Sequence, residues 1–81
     1  MKVRVRLFAI LKDAAGESEV VLDIPENCTG KQLLEELGKQ FPRMQGTIEK
    51  SALAVNENYI TPDANIPVGA EIAIIPPVSG G

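Results

Sequence analysis

The chain opens on a strict alternation. Val3, Val5 and Leu7 are apolar, and Lys2, Arg4 and Arg6 between them are basic. A period of two puts the apolar side chains on one face of a strand and the cations on the other. Phe8 follows Leu7 directly, so it falls on the cation side. The stretch Asp13-Ala14-Ala15-Gly16-Glu17-Ser18 is small and polar, and Gly16 supplies a turn. Alternation resumes from Glu19 to Ile24, with Val20, Leu22 and Ile24 inward and Pro25 as the stop. The two strands read as an antiparallel hairpin with a long connection.

The period then changes. Leu33, Leu34, Leu37 and Phe41 recur at helical spacing and form one apolar stripe. Thr29 is a good N-cap with Gln32 three residues on, the pattern of a capping box. Cys28 and Leu33 are spaced for a hydrophobic staple across that cap. Gly38 either weakens the helix, by up to ~1 kcal/mol, or ends it early, and Pro42 ends it at the latest. The helix is expected from about residue 29 to about 41, with Met44 and Ile48 forming one extra apolar turn. Ala52-Leu53-Ala54-Val55 reads as a third strand, Asn56-Glu57-Asn58 as a turn and Tyr59-Ile60 as a short return strand. Residues 61–70, with Pro62, Pro67 and Gly69, read as loop. Glu71-Ile72-Ala73-Ile74-Ile75 is the last strand, and Pro76-Pro77 must end it.

The order is strand, strand, helix, strand, short strand, strand. The first and last strands are the most apolar and are expected as central neighbours, with one helix covering one face of the sheet. This predicts an α+β fold of the β-grasp type: a mixed four- to five-stranded sheet with one main helix. The domain is expected over residues 1–75, and residues 76–81 form an extended, flexible tail.

Composition narrows the chemistry. At 81 residues, 44% of them hydrophobic, the chain supports one core and not two. Eight Lys and Arg against eleven Asp and Glu give a net charge of −3, which argues against a nucleic-acid partner. No apolar run approaches the ~20 residues of a membrane span. The start lacks the apolar core of a signal peptide, so a cytoplasmic location is expected. A single cysteine fits a reducing compartment. There is no His, which excludes a Ser-His or Cys-His nucleophile and a His-ligated metal, so no metal site is expected. There is no Trp, and the three aromatics do not make a stacking platform for single-stranded nucleic acid.

The remaining candidates have bland readings. Cys28 reads as a small buried hydrophobe before the helix cap rather than a reactive thiol. Lys2, Arg4 and Arg6 read as a solvated strand face, with an acidic partner surface as the alternative. Glu35 and Glu36 read as the outer side of the helix, and Asn56 and Asn58 as turn residues. Phe8 and Ile75 each lie one step out of phase with the inward set of their strands, which turns them to the opposite sheet face. With Tyr59 extending it, they form an exposed apolar patch of the kind that marks interfaces. The alternative is a core edge or a β-bulge.

The sequence ends Pro76-Pro77-Val78-Ser79-Gly80-Gly81. Two prolines stiffen the exit from the sheet. Small residues at a chain end are also what a frayed terminus looks like. If the carboxylate of Gly81 is instead the reactive group, it must enter a narrow channel in a partner enzyme. Gly80 and Gly81 then allow the close approach that a side chain would block.

The sequence resembles the small, sulfur-carrier subunits of molybdopterin synthase, a ubiquitin-like family. The resemblance is carried by Leu7-Phe8-Ala9, Val55-Asn56, Gly69-Ala70-Glu71 and above all Pro76-Pro77-Val78-Ser79-Gly80-Gly81. It covers the whole chain; relatives often have Asp at the position of Ala70 and aromatics at those of Ile74 and Ile75. The resemblance implies a cycle. An E1-like activating enzyme uses ATP to adenylate Gly81, and a sulfur donor protein converts the acyl-adenylate to a thiocarboxylate. No cofactor stays bound to the carrier. The tail, from Pro76 and Pro77 through Val78 and Ser79 to Gly80, inserts into the large synthase subunit, with Phe8, Tyr59 and Ile75 lining the contact. There the sulfur is donated to cyclic pyranopterin monophosphate to build the molybdopterin dithiolene. The implied assembly is two small plus two large subunits, with catalytic side chains in the large one. Alternatives are a sulfur carrier for a thiazole, tRNA or amino-acid acceptor, a ubiquitin-like modifier joined to lysines through Gly81, and a binding module with an inert tail.

Overall fold

The computed structural model describes residues 1–77. Five strands form one mixed sheet in the order β2-β1-β5-β3-β4. β1 (Lys2–Leu7) and β2 (Glu19–Asp23) are antiparallel, with Val5 opposite Val20. β5 (Glu71–Ile75) lies at the centre, parallel to β1 with Leu7 opposite Ile74. β3 (Ala52–Val55) is antiparallel to both β5 and β4 (Asn58–Ile60), which forms the far edge. The expected neighbours at the centre, mixed topology and short return strand are all present.

Alternation decides which side of each strand is buried. Val3, Val5 and Leu7 are at most 2% exposed, and the basic residues between them face solvent. Ile72 and Ile74 of β5 are fully buried between Val5 and Leu7 of β1 and Val55 and Leu53 of β3. α2 (Gly30–Gln40) closes this face with Leu33 and Leu37, both at 0% exposure. Its capping box is formed in both directions. The Gln32 N–H donates to Thr29 Oγ1 at 3.2 Å, and the Thr29 N–H donates to Gln32 Oε1 at 2.9 Å. Cys28 and Leu33 both join the core around that cap. Gly38 is a buried interior residue of the helix, not its end. Beyond Pro42 a 3₁₀ turn (Pro42–Met44) and α3 (Gln45–Ile48) bury Met44 and Ile48, the expected extra apolar turn.

The connection between β1 and β2 holds more than a turn. Residues Ala9–Ala15 form a helix, α1, which buries Leu11. Gly16 ends it at φ 77°, with its N–H donated to the Lys12 carbonyl at 2.9 Å. This is the left-handed cap that glycine favours. A seven-residue helix with one buried residue shows no repeat from which a period can be read. Phe8 is not the last residue of β1, as the alternation suggested; it is the N-cap of α1.

The β3–β4 hairpin turns on two residues, Asn56 at φ 50° and Glu57 at φ 71°. Positive φ at both positions matches the tight hairpin turn whose twist suits antiparallel strands. No helix among the described residues is long and apolar enough to cross a membrane.

Candidate functional site

One face of the sheet carries the helices, and the other is open. Register defines its composition, because partners across a ladder point to the same side. Arg6, Ala73, Ala54 and Tyr59 form one row across four strands. Just past the end of β1, the Phe8 ring lies beneath the Arg6 guanidinium, and two residues beyond Ala73 on β5 comes Ile75, with Ala52 opposite it. The three residues singled out from their phase therefore share one face. Phe8 is 39% exposed, Tyr59 is 70% exposed and Ile75 is half-buried. They do not form one tight cluster. Phe8 and Ile75 lie together where β1 and β5 end, whereas Tyr59 lies on the far edge strand, about 14 Å from β1 at ~4.8 Å per strand. Ala52, Ala54 and Ala73 floor the space between, so the strip is apolar and shallow.

Several interactions fix this geometry. The guanidinium of Arg6 lies 5.7 Å from the centroid of the Phe8 ring, within cation–π range. Arg6 also donates to Glu71 at 3.3 Å, and Arg4 donates through Nε to Glu19 at 2.8 Å. Both pairs are exposed, where ion pairs contribute ~0–1 kcal/mol. They order the face more than they stabilise it. Asn56 does more than turn the chain. Its N–H donates to the Glu71 carbonyl at 2.8 Å, and its Oδ1 accepts the Glu71 N–H at 3.0 Å. This pair of hydrogen bonds clamps the hairpin to the start of the strand that leads to the tail. The turn reading found Asn56 but not this second role, which needs β5 to lie alongside.

The tail leaves from the end of β5. Pro76 is half-buried and Pro77 is exposed. Because β1 and β5 are parallel, Phe8 and Pro76 are at the same end of the sheet. Val78, Ser79, Gly80 and Gly81 lie outside the described residues.

Cys28 is on the other side of the molecule, 2% exposed, with its Sγ donating to the Thr29 carbonyl at 3.4 Å. Burial first, and the charge of Glu36 second, push its thiol above the ordinary value. A thiol held protonated is a poor nucleophile. Among the described residues no three His, Cys, Asp or Glu side chains are grouped to hold a metal ion.

A helix-backed mixed sheet with an open, partly apolar face and a strand leading straight into a glycine-ended tail defines a ubiquitin-like carrier or modifier. The ThiS family model matches residues 5–81, and the chain belongs to that family. It is 41% identical over 81 residues to the molybdopterin synthase sulfur carrier subunit of Dictyostelium discoideum, covering 96% of this chain and 94% of that protein. Among solved structures, a putative molybdopterin converting factor subunit 1 from Pyrococcus furiosus superposes with a TM-score of 0.85 at 28% identity, covering 96% of this chain and 99% of the other. The small archaeal modifier protein 1 of Methanosarcina acetivorans superposes with a TM-score of 0.83, also at 28% identity, covering 99% and 96%.

Proposed function

We propose that this chain is the sulfur-carrier subunit of a molybdopterin synthase, and that Gly81 carries the sulfur. The likeness along nearly the whole length of the Dictyostelium discoideum carrier subunit supports the reading most directly. The chemistry is that of a carboxylate made reactive elsewhere. A Gly81 oxygen attacks the α-phosphate of ATP on an activating enzyme, and pyrophosphate leaves. A hydrosulfide equivalent from a sulfur donor protein then displaces AMP and leaves a thiocarboxylate. The thiocarboxylate sulfur is a soft nucleophile that attacks an electrophilic carbon of cyclic pyranopterin monophosphate, and water then cleaves the resulting acyl–sulfur bond, leaving sulfur on the pterin and a carboxylate on Gly81. Two loaded carriers supply the two sulfurs of the dithiolene, which suits an assembly of two small and two large subunits.

In this reading the carrier's own residues position the tail. Phe8, Ile75 and Tyr59 seat the open face on the large subunit. Pro76 and Pro77 stiffen the exit, and Val78, Ser79 and Gly80 thread the channel. ATP is consumed on the activating enzyme and is not a bound cofactor here.

The test compares wild type with a Gly81 deletion, each incubated with ATP, activating enzyme and a sulfur source, then weighed intact. Wild type gains one sulfur for one oxygen on its last residue. The deletion fails, because the carboxylate is withdrawn by ~3.3–3.6 Å of extended chain and reaction needs atoms placed within ~3–3.5 Å. Equal sulfuration of the deletion, or sulfur on Cys28, overturns the mechanism. The likeness to an archaeal modifier favours a second reading, in which Gly81 is joined to lysines of other proteins. Digests of cell protein that carry Gly-Gly remnants on lysine distinguish it. Turnover of cyclic pyranopterin monophosphate by the loaded carrier and its large subunit separates the synthase from thiazole, tRNA or amino-acid acceptors.

A further inference from the structure

Charge is distributed very unevenly along this chain. Residues 1–12 hold Lys2, Arg4, Arg6 and Lys12 and no acid, a net +4. The remaining residues hold four cations and all eleven acids, a net 4 − 11 = −7. The fold places the basic segment on one side. A groove beside β1 is lined by Arg4, Arg6, Phe8, Lys12, Glu19 and Glu71, among others. Its cations come from two elements, with Arg4 and Arg6 on the open face of β1 and Lys12 on α1. Arg4 and Arg6 are each half-engaged by Glu19 and Glu71, but Lys12 has no acidic partner within 4 Å among the described residues. Three cations against the carboxylates of Glu19 and Glu71 leave the groove a net 3 − 2 = +1, on a molecule that is otherwise acidic.

Its position matters as much as its sign. Phe8 belongs to both the groove and the apolar strip. Ala9, which follows it, holds φ 51°, a left-handed conformation costly to any residue with a Cβ. That kink swings the chain from β1 into α1 and brings Lys12 round to the side where Arg6 and Phe8 lie.

We propose that this groove docks an acidic protein segment, one or more carboxylates next to an apolar side chain, on the large subunit that receives the tail. The inference rests on the carrier reading and names the chemistry that reading leaves open. The apolar side chain covers Phe8 while the carboxylates meet Lys12 and the outer edges of Arg6 and Arg4. The remaining −7 repels the rest of an acidic partner, so only one orientation satisfies both signs. That orientation points the root of the tail at the partner. Charges at such a rim act mainly on the association rate. The same charge balance disfavours a nucleic acid, whose phosphates would continue past the groove onto acidic surface.

The experiment follows binding of the full chain to the purified large synthase subunit of the same genome by stopped flow, from 20 to 500 mM NaCl. Wild type should associate faster at low salt, with the rate falling as the Debye length shrinks to ~10 Å at 0.1 M and below. Lys12→Glu combined with Arg6→Gln should slow association about tenfold at low salt, leave dissociation nearly unchanged and flatten the salt dependence. Lys12→Arg should restore the wild-type rate. Lys31→Glu and Lys39→Glu, on α2, should change nothing. A salt-independent wild-type rate, or a double variant as fast as wild type, overturns the proposal. Phe8→Asp separates the two levels. If it abolishes binding while the charge variants bind normally, the interface stands and the groove does not. If wild type itself fails to bind, the carrier reading falls and this inference with it. A labelled 20-nucleotide RNA binding the groove and lost in the double variant would assign it to nucleic acid and overturn it too.

Discussion

The two faces of this sheet are built from the same five strands and behave as different materials. The covered face is continuous hydrocarbon. Val3, Val5, Leu7, Leu22, Ile72 and Ile74 meet Leu33 and Leu37 of the helix, and each is at most 2% exposed. The open face, one residue out of step along each strand, carries Arg4, Arg6, Glu19 and Glu71, then alanines, then Phe8, Ile75 and Tyr59. Stability resides on the first face, and the proposed recognition on the second. A domain this small has one core, so the open face is free to carry sequence chosen for a partner. The difference teaches that a single step of register separates a residue buried in the core from one presented on the open face.

Ile74 and Ile75 give that statement its sharpest test. They are adjacent and chemically identical, yet Ile74 is fully buried and Ile75 is half-buried on the other face. Ile74→Ala should destabilise the fold by about 2–5 kcal/mol, the usual cost of truncating a well-packed core isoleucine. Ile75→Ala should cost well under half of that and should instead weaken the complex with the large subunit, where a buried anchor can contribute ~2 kcal/mol or more. Urea melts of both variants, paired with affinity measurements, read the two effects separately. Equal losses of stability would mean that the faces are not distinct.

A smaller effect probes how closely the helix is seated on the covered face. A Cβ on Gly30 would overlap Leu53 Cδ2 and lie 3.3 Å from the Pro62 carbonyl oxygen. Leu53 is itself 3% exposed and has little room to move. Overpacking of this kind costs roughly 1–3 kcal/mol, more than the helix propensity gained, so Gly30→Ala should lower the melting temperature. On Gly46, in α3, a Cβ would meet nothing within 4 Å. Gly46→Ala should raise stability by up to ~1 kcal/mol from propensity alone. Thermal melts of the two variants moving in the same direction would refute this picture of the contact.

Most of the covered face was legible in the sequence because its signals are periodic. The alternation of β1, the stripe of α2 and the Thr29–Gln32 box each repeat a rule that burial then enforces. Proline bounds at 42 and 76 held for the same local reason. The open face was legible only as exceptions to period: Phe8 and Ile75 out of phase, Tyr59 on a short strand. Those residues were found, but not their spacing, since Tyr59 is separated from Phe8 by strands whose order no local pattern states. α1 was missed because seven residues do not complete two turns. Lys12 was passed over for the same reason, since only the kink at Ala9 brings it beside β1. Asn56 was read as a turn residue, and its clamp on Glu71 depends on residues fifteen apart in the chain. Long-range pairing, rather than composition, accounts for each omission.

The smallest expected effect concerns Cys28, and it decides which face the sulfur chemistry belongs to. The thiol is buried with the covered-face core, and burial holds its ionisation above the ordinary range. The sign of the consequence follows from proton counting. In the unfolded chain a cysteine titrates near pH ~8.5. As pH rises past that point the unfolded state gives up the proton while the folded state keeps it. The unfolded state then binds fewer protons, so stability falls with rising pH. The contribution is fully present below the unfolded value and is lost as pH climbs through the folded one. Wild type should therefore lose stability between pH 7 and pH 10 faster than Cys28→Ala, which has no thiol to ionise, although the variant starts lower because of the sulfur it lacks. Urea midpoints across that range measure the difference between the two slopes. The same protonated state should make Cys28 slow to react with an uncharged alkylating reagent until the protein unfolds. Parallel pH profiles together with rapid alkylation of the folded chain would place an accessible thiolate here. A persulfide on Cys28 would then rival the Gly81 carboxylate as the sulfur's seat, and the division between a face that folds and a face that works would fail at its one reactive side chain.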